Sequence, residues 1–211
     1  FTLATSPALS QGGTFVQGRD VNKEEKVIER VEGGPLLDIR EQMREFVQKI
    51  SGYARTQSRN FVVITQGSLE LLTKIDDVDE TKVSTARAYM KSIDGIMVDG
   101  LFFGQKEVGI ATTPEKLEKT LHLVRIAKKN RLNVMVMDYV ADADQAEQSY
   151  NFNEELDLTP FAANARGEEL NTIPTFRKIP FRENPKSILS MLEAKNFLYL
   201  GDTSGFGRQD E

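Results

Sequence analysis

Gly95-Ile96-Met97-Val98 is a continuous apolar run that ends on an acid, Asp99, and a glycine, Gly100. A run without polar alternation is the mark of a strand covered on both faces, as in parallel sheets flanked by helices. The same pattern stands upstream as Phe61-Val62-Val63-Ile64 and downstream as Val134-Met135-Val136-Met137, with a shorter fourth run at Leu158-Thr159-Pro160-Phe161-Ala162. Between the second and third runs, Thr113-Pro114-Glu115 opens a helix with a capping residue and a proline at its first position. Leu117, Leu121 and Val124 give that helix its core face, and Ala141 to Leu156 reads as the next helix. The strands recur at the spacing of βα units, which take about 30 residues each. Parallel strands with helical crossovers follow, an α/β fold.

Upstream of the first run, Ile39, Met43, Phe46, Val47, Ile50, Tyr53 and Ala54 form one apolar stripe at helical spacing, predicting a helix that packs on the core, with Asp38 at its N-cap. Short helices are expected at Leu69 to Lys74 and at Thr81 to Met90. Residues 1–35 read as an irregular lead-in, rich in turn residues such as Glu32-Gly33-Gly34-Pro35, with one short charged helix at Lys23 to Arg30. Residues 36–183 hold the βα units. Residues 184–211 read as a linker helix at Ile188 to Ala194 and a strand at Asn196-Phe197-Leu198-Tyr199-Leu200.

Composition narrows the chemistry. The chain has 211 residues, enough to bury a full core, with 39% hydrophobic and 28% charged residues. A formal charge of −5 argues against a nucleic-acid partner needing a basic face. No apolar run reaches the roughly 18 residues of a membrane span. Zero cysteines exclude disulfides, thiolate metal sites and a cysteine nucleophile, and the single histidine, His122, does not make a histidine-cage centre. No cofactor is expected. His122 falls inside a helix, next to core positions, and reads as a surface or boundary residue rather than a catalytic one. Chemistry in such a chain runs on carboxylates.

Polar residues stand at the strand ends: Gln66 after the first run, Asp99 after the second, Asp138-Tyr139 after the third, Asn164 and Arg166 after the fourth. In parallel α/β proteins the ligand crevice lies beyond the carboxyl ends of the strands. Asp99 and Asp138 are the candidate catalytic pair. Gln66, Tyr139, Phe102, Asn164 and Arg166 are candidates for substrate binding, the rings of Tyr139, Phe102 and Phe103 as apolar platforms.

The stretches Met43-Arg44-Glu45-Phe46-Val47-Gln48-Lys49-Ile50, Asn60-Phe61-Val62-Val63-Ile64-Thr65-Gln66, Ile93-Asp94-Gly95-Ile96-Met97-Val98-Asp99-Gly100-Leu101-Phe102-Phe103-Gly104, Val136-Met137-Asp138-Tyr139-Val140 and Leu158-Thr159-Pro160-Phe161-Ala162-Ala163-Asn164 together resemble the glycoside-hydrolase family 114 barrels. That family includes bacterial homologues mislabelled as related to cysteinyl-tRNA synthetase. The resemblance spans roughly residues 36–171. It implies a (β/α)₈ TIM-barrel type, here a partial barrel of strands five to eight plus the start of another strand. It also implies action on α-1,4-galactosamine polymers through two carboxylates, and an extracellular or periplasmic bacterial protein. Asp99 stands where the family carries a glutamate, and Gly67-Ser68 where it carries Asn-Gly. The family's other carboxylate follows strand four in a motif like Tyr-Leu-Asp, which does not precede Asp38. The expected partner is therefore a polysaccharide or oligosaccharide, acted on by a hydrolase or held by an inactive or truncated sugar-binding or assembly relative. A homodimer that completes the barrel is the second expected partner, because an open half-sheet exposes an edge.

Overall fold

Four parallel strands, ordered β3-β6-β7-β8, carry the fold. In chain order the elements are β1 (Ile28–Glu29), β2 (Leu37–Asp38), α1 (Ile39–Gln57), β3 (Ile64–Gln66), β4 (Thr73–Ile75), β5 (Val83–Thr85), α2 (Arg87–Ser92), β6 (Gly95–Asp99), α3 (Pro114–Lys129), β7 (Asn133–Tyr139), α4 (Ala143–Glu155) and β8 (Thr159–Ala163), with short 3₁₀ turns at Leu69–Leu72, Gly167–Glu169 and Met191–Glu193. The computed structural model describes residues 28–29, 37–75, 79, 82–177 and 180–206. Residues 1–38 and 39–211 form two units. In the first, β1 pairs antiparallel with β2, Ile28 opposite Asp38. A strand at Ile28–Glu29 replaces the end of the helix expected over Lys23 to Arg30; the rest of the expected lead-in lies outside the described residues.

In the second unit the register is continuous. Ile64 pairs with Gly95, Gly95 with Asn133, and Met135 with Thr159, all parallel. Side chains alternate across this sheet. Ile96, Val98, Val134, Val136, Val140 and Ala162 face a helical layer that contributes Tyr89, Met90, Val124, Ala127, Ala146 and Tyr150. The other face carries Met97, Met135, Met137, Tyr139, Phe161 and Ala163, covered by Leu170 and by Met191, Phe197 and Tyr199 of the C-terminal segment. β6, β7 and β8 are thus covered on both faces, which is why their sequences are apolar throughout.

Several sequence expectations are corrected. β3 starts at Ile64 rather than Phe61, and Phe61, Val62 and Ile64 are exposed, because β3 is an edge strand with no neighbour beyond it among the described residues. The helix expected at Leu69 to Lys74 is a 3₁₀ turn followed by β4, which forms a hairpin with β5 where the start of another helix was expected; α2 begins only at Arg87. In the tail, the expected helix is a single 3₁₀ turn, and residues 196–200 run across the methionine face without joining a sheet.

The largest reversal concerns α1. Of its apolar stripe, Ile39, Met43, Phe46, Ile50 and Tyr53 are exposed, Tyr53 at 70%, while Val47 is partly buried and packs against the core. The buried positions are Arg44 and Ser51. Arg44 Nε donates to the Leu71 carbonyl at 2.9 Å, Nη2 donates to the Thr73 carbonyl, and Nη1 pairs with Glu41 at 2.7 Å. Ser51 Oγ donates to the Ser92 carbonyl, and Arg55 pairs with Asp94 at 2.9 Å. A buried guanidinium must find acceptors, and those carbonyls fix which face of α1 docks.

Candidate functional site

At the carboxyl ends of the sheet, three strands contribute to one polar line. Gln66 closes β3, Asp99 closes β6 and Tyr139 closes β7. Gln66 is in register with Met97, and Asp99 with Met137, so parity puts Gln66, Asp99 and Tyr139 on the methionine face. Gln66 Nε2 donates to Asp99 Oδ2 at 2.8 Å, and the Tyr139 hydroxyl donates to Asp99 Oδ1 at 3.3 Å. The two donors fix the plane of the carboxylate, which remains half-buried. Arg166, three residues past β8, lays its guanidinium 4.4 Å over the centre of the Tyr139 ring, a cation–π arrangement. Burial, and then the negative charge of Asp99, push the Tyr139 phenol well above its usual value, so it acts as a donor and not as a phenolate.

Asp138 does different work. It is fully buried, one residue before Tyr139, and therefore points to the opposite face of the sheet from Asp99. Its Oδ1 accepts the backbone N–H groups of Phe102 and Phe103 at 2.9 and 3.2 Å, and its Oδ2 accepts Ser149 Oγ–H of α4 at 2.6 Å. Asp138 staples the loop after β6 to α4. The Asp99–Asp138 pair expected from the sequence is not brought together, because adjacent positions on neighbouring strands in register face opposite ways.

Phe102 is likewise spent on the helical side, with its ring 5.2 Å from Phe152 of α4, and it offers no platform to a ligand. Phe103 is also buried there. Asn164 is exposed just beyond β8. His122 is exposed on α3. The loop itself returns to the site: Phe103 accepts the Tyr139 N–H at 3.1 Å, and the Tyr139 carbonyl accepts the Gly109 N–H at 2.9 Å. Gly104 has a positive φ of 84° and lies so close to Tyr139 that a Cβ would collide with it. Tyr199 was not among the candidates read from the sequence. It reaches the neighbourhood of the Tyr139 phenol from the C-terminal segment, and nothing in its local pattern announces that.

Two clefts, of about 370 and 340 Å³, lie at the amino ends of the strands, with Asp94, Arg131, Leu132, Asn133 and Thr159 in their walls. They contain none of the residues of the polar line. In parallel α/β sheets ligands bind outside the carboxyl ends of the strands, so the polar line rather than either cleft is the candidate site. Among the described residues no cluster of three or more acids or histidines forms a metal cage, and no helix is long and apolar enough to cross a membrane. No protein-family model matches this chain, and no curated protein matches it.

Proposed function

We propose that the carboxyl-end site is a carbohydrate site of the glycoside-hydrolase type, acting on an α-1,4-galactosaminide-type polysaccharide with Asp99 as the proton-handling carboxylate. The observation that carries this is the orientation of Asp99: a half-buried carboxylate held by Gln66 and Tyr139 where ligands of parallel α/β sheets bind. A glycosidase acid gives its proton to the leaving oxygen and then, as a base, takes one from water. A carboxylate fixed in plane suits that task, and suits a hydrogen bond to the ammonium or hydroxyl groups of an amino sugar.

Glycoside hydrolysis normally uses two carboxyl groups, about 5 to 9.5 Å apart across the retaining and inverting classes. Asp138, bound to two backbone amides and a serine, is not offered as the second. The reading therefore includes a (β/α)₈ barrel in which further strands supply that group, and a second copy of the chain as their source. The edge of β3, which has no neighbour among the described residues, and the exposed stripe of α1 support it, since both are surfaces that a continuing barrel would cover. An extracellular or periplasmic location belongs to the same proposal and rests on the sequence resemblance.

A second reading is a sugar-binding or assembly protein without turnover. The engagement of Asp138 in structure and the aspartate at position 99 in place of a glutamate favour it. Release of reducing ends from an α-1,4-galactosamine polymer separates the two. The hydrolase reading predicts release that falls at least about a hundredfold in Asp99→Asn, the usual scale for losing an acid–base group. Saturable binding with no release selects the second reading, and release unchanged in Asp99→Asn removes Asp99 from the chemistry.

A further inference from the structure

The polar line at the site closes at every member but Arg166. Both Asp99 oxygens hold donors, and the Tyr139 hydroxyl is engaged. The Arg166 Nε, by contrast, is buried and has no hydrogen-bond partner. No carboxylate among the described residues forms an ion pair with this guanidinium, although Asp99 lies at the other end of the same tyrosine. Tyr139 thus separates two opposite charges that do not pair, one at its hydroxyl and one over its ring face.

Buried polar groups in native structures are almost always satisfied, and a charged donor left without an acceptor is the costliest exception. The Tyr139 ring beside the guanidinium gives its Nε–H no acceptor, and a partner lying in the guanidinium plane would supply one. A guanidinium edge is a rigid fork that matches the two oxygens of a carboxylate. One guanidinium neutralises one negative charge, which suits a monoanion.

We propose that Arg166 is the recognition point for a carboxylate carried by the bound sugar, so that the site takes an acidic saccharide of the uronic-acid type. The proposal rests on the carbohydrate reading and narrows its substrate class to a galactosaminide-type polymer that also carries uronic-acid carboxylates. A sugar whose carboxylate meets Arg166 turns its hydroxyl or amino substituents along Tyr139 toward Asp99. Selectivity then comes from the charge on Arg166 as well as from Asp99.

The test is calorimetric titration of the full chain with three probes of similar length: oligogalacturonate, α-1,4-linked oligogalactosamine and a neutral galactose oligomer. Oligogalacturonate is expected to bind at least about tenfold more tightly than the neutral oligomer, which is about 1.4 kcal/mol. Arg166→Gln should erase that preference. Arg166→Lys should restore only part of it, since an ammonium keeps the charge without the fork. The Arg166 Nε–H resonance in the unsubstituted chain should shift on addition of oligogalacturonate, a readout that holds whatever the variants do to folding. Binding of the neutral or amino-sugar oligomer without oligogalacturonate overturns the proposal and leaves the carbohydrate reading standing. An Arg166→Gln variant that keeps the preference also overturns it. Binding of none of the three overturns the carbohydrate reading and this proposal with it.

Discussion

What a carboxylate can do depends on what already occupies its oxygens. Asp99 accepts two side-chain donors in a half-buried position, whereas Asp138 is buried behind the sheet and accepts two backbone amides and a serine. Burial, opposed by the hydrogen bonds of Ser149, Phe102 and Phe103, leaves the Asp138 carboxyl above its ordinary value of 3.8. The folded chain therefore holds this proton more firmly than the unfolded chain. The stabilisation is complete below about pH 4 and is lost as pH rises through the folded value. Asp138→Asn, neutral at every pH, is expected to flatten that part of the profile in urea unfolding between pH 4 and pH 8; an unchanged slope contradicts the assignment. Asp138→Ala strips the acceptor from three buried donors and should cost about 2–4 kcal/mol. A loss below about 0.5 kcal/mol would show that the loop does not depend on it. The strand-end positions of both acids are legible in the sequence, since each closes an apolar run. Their opposite directions are a matter of register between β6 and β7, which only strand pairing reveals.

Among the elements, the strands best marked by their sequences are those buried on two sides. β6, β7 and β8 have no solvent face to require polar residues, so apolar runs and parallel pairing go together. The helix α3 is marked by Thr113-Pro114, and α4 by Asp142, whose side chain accepts the Gln145 N–H at 2.9 Å. The hairpin of β4 and β5 is poorly marked, because two strands of three residues leave no periodicity to count. In α1 the apolar stripe is plain in the sequence, but the docked face is chosen by Arg44, whose acceptors are backbone carbonyls that no sequence pattern displays. Arg44→Met keeps much of the apolar stem and leaves the carbonyls of Leu71 and Thr73 and the carboxylate of Glu41 without this guanidinium. The expected cost is about 2–4 kcal/mol in chemical denaturation. Stability within about 0.5 kcal/mol of the parent would mean that packing rather than these hydrogen bonds seats α1.

At the scale of the whole molecule, β3 is an edge strand with no neighbour beyond it among the described residues, and α1 presents Met43, Phe46, Ile50 and Tyr53 to solvent. In the proposed barrel completion, that apolar stripe is the surface a second copy of the chain would cover. Under the proposed barrel completion, light scattering on a sizing column should give twice the chain mass of 23.7 kDa, and Phe46→Lys with Ile50→Lys should return the mass to that of one chain. A single-chain mass for the parent contradicts the homodimer. Under the proposed function a saccharide binds at the carboxyl ends of β3, β6 and β7 and not in the clefts at the amino ends. Titrating an α-1,4-galactosamine or galacturonate oligomer into the isotope-labelled chain and mapping the shifted resonances tests this most directly. The shifts are expected to gather on Gln66, Gly100, Tyr139 and Arg166. Shifts gathered instead on Asp94, Arg131 and Met191, or none with any saccharide, would contradict it.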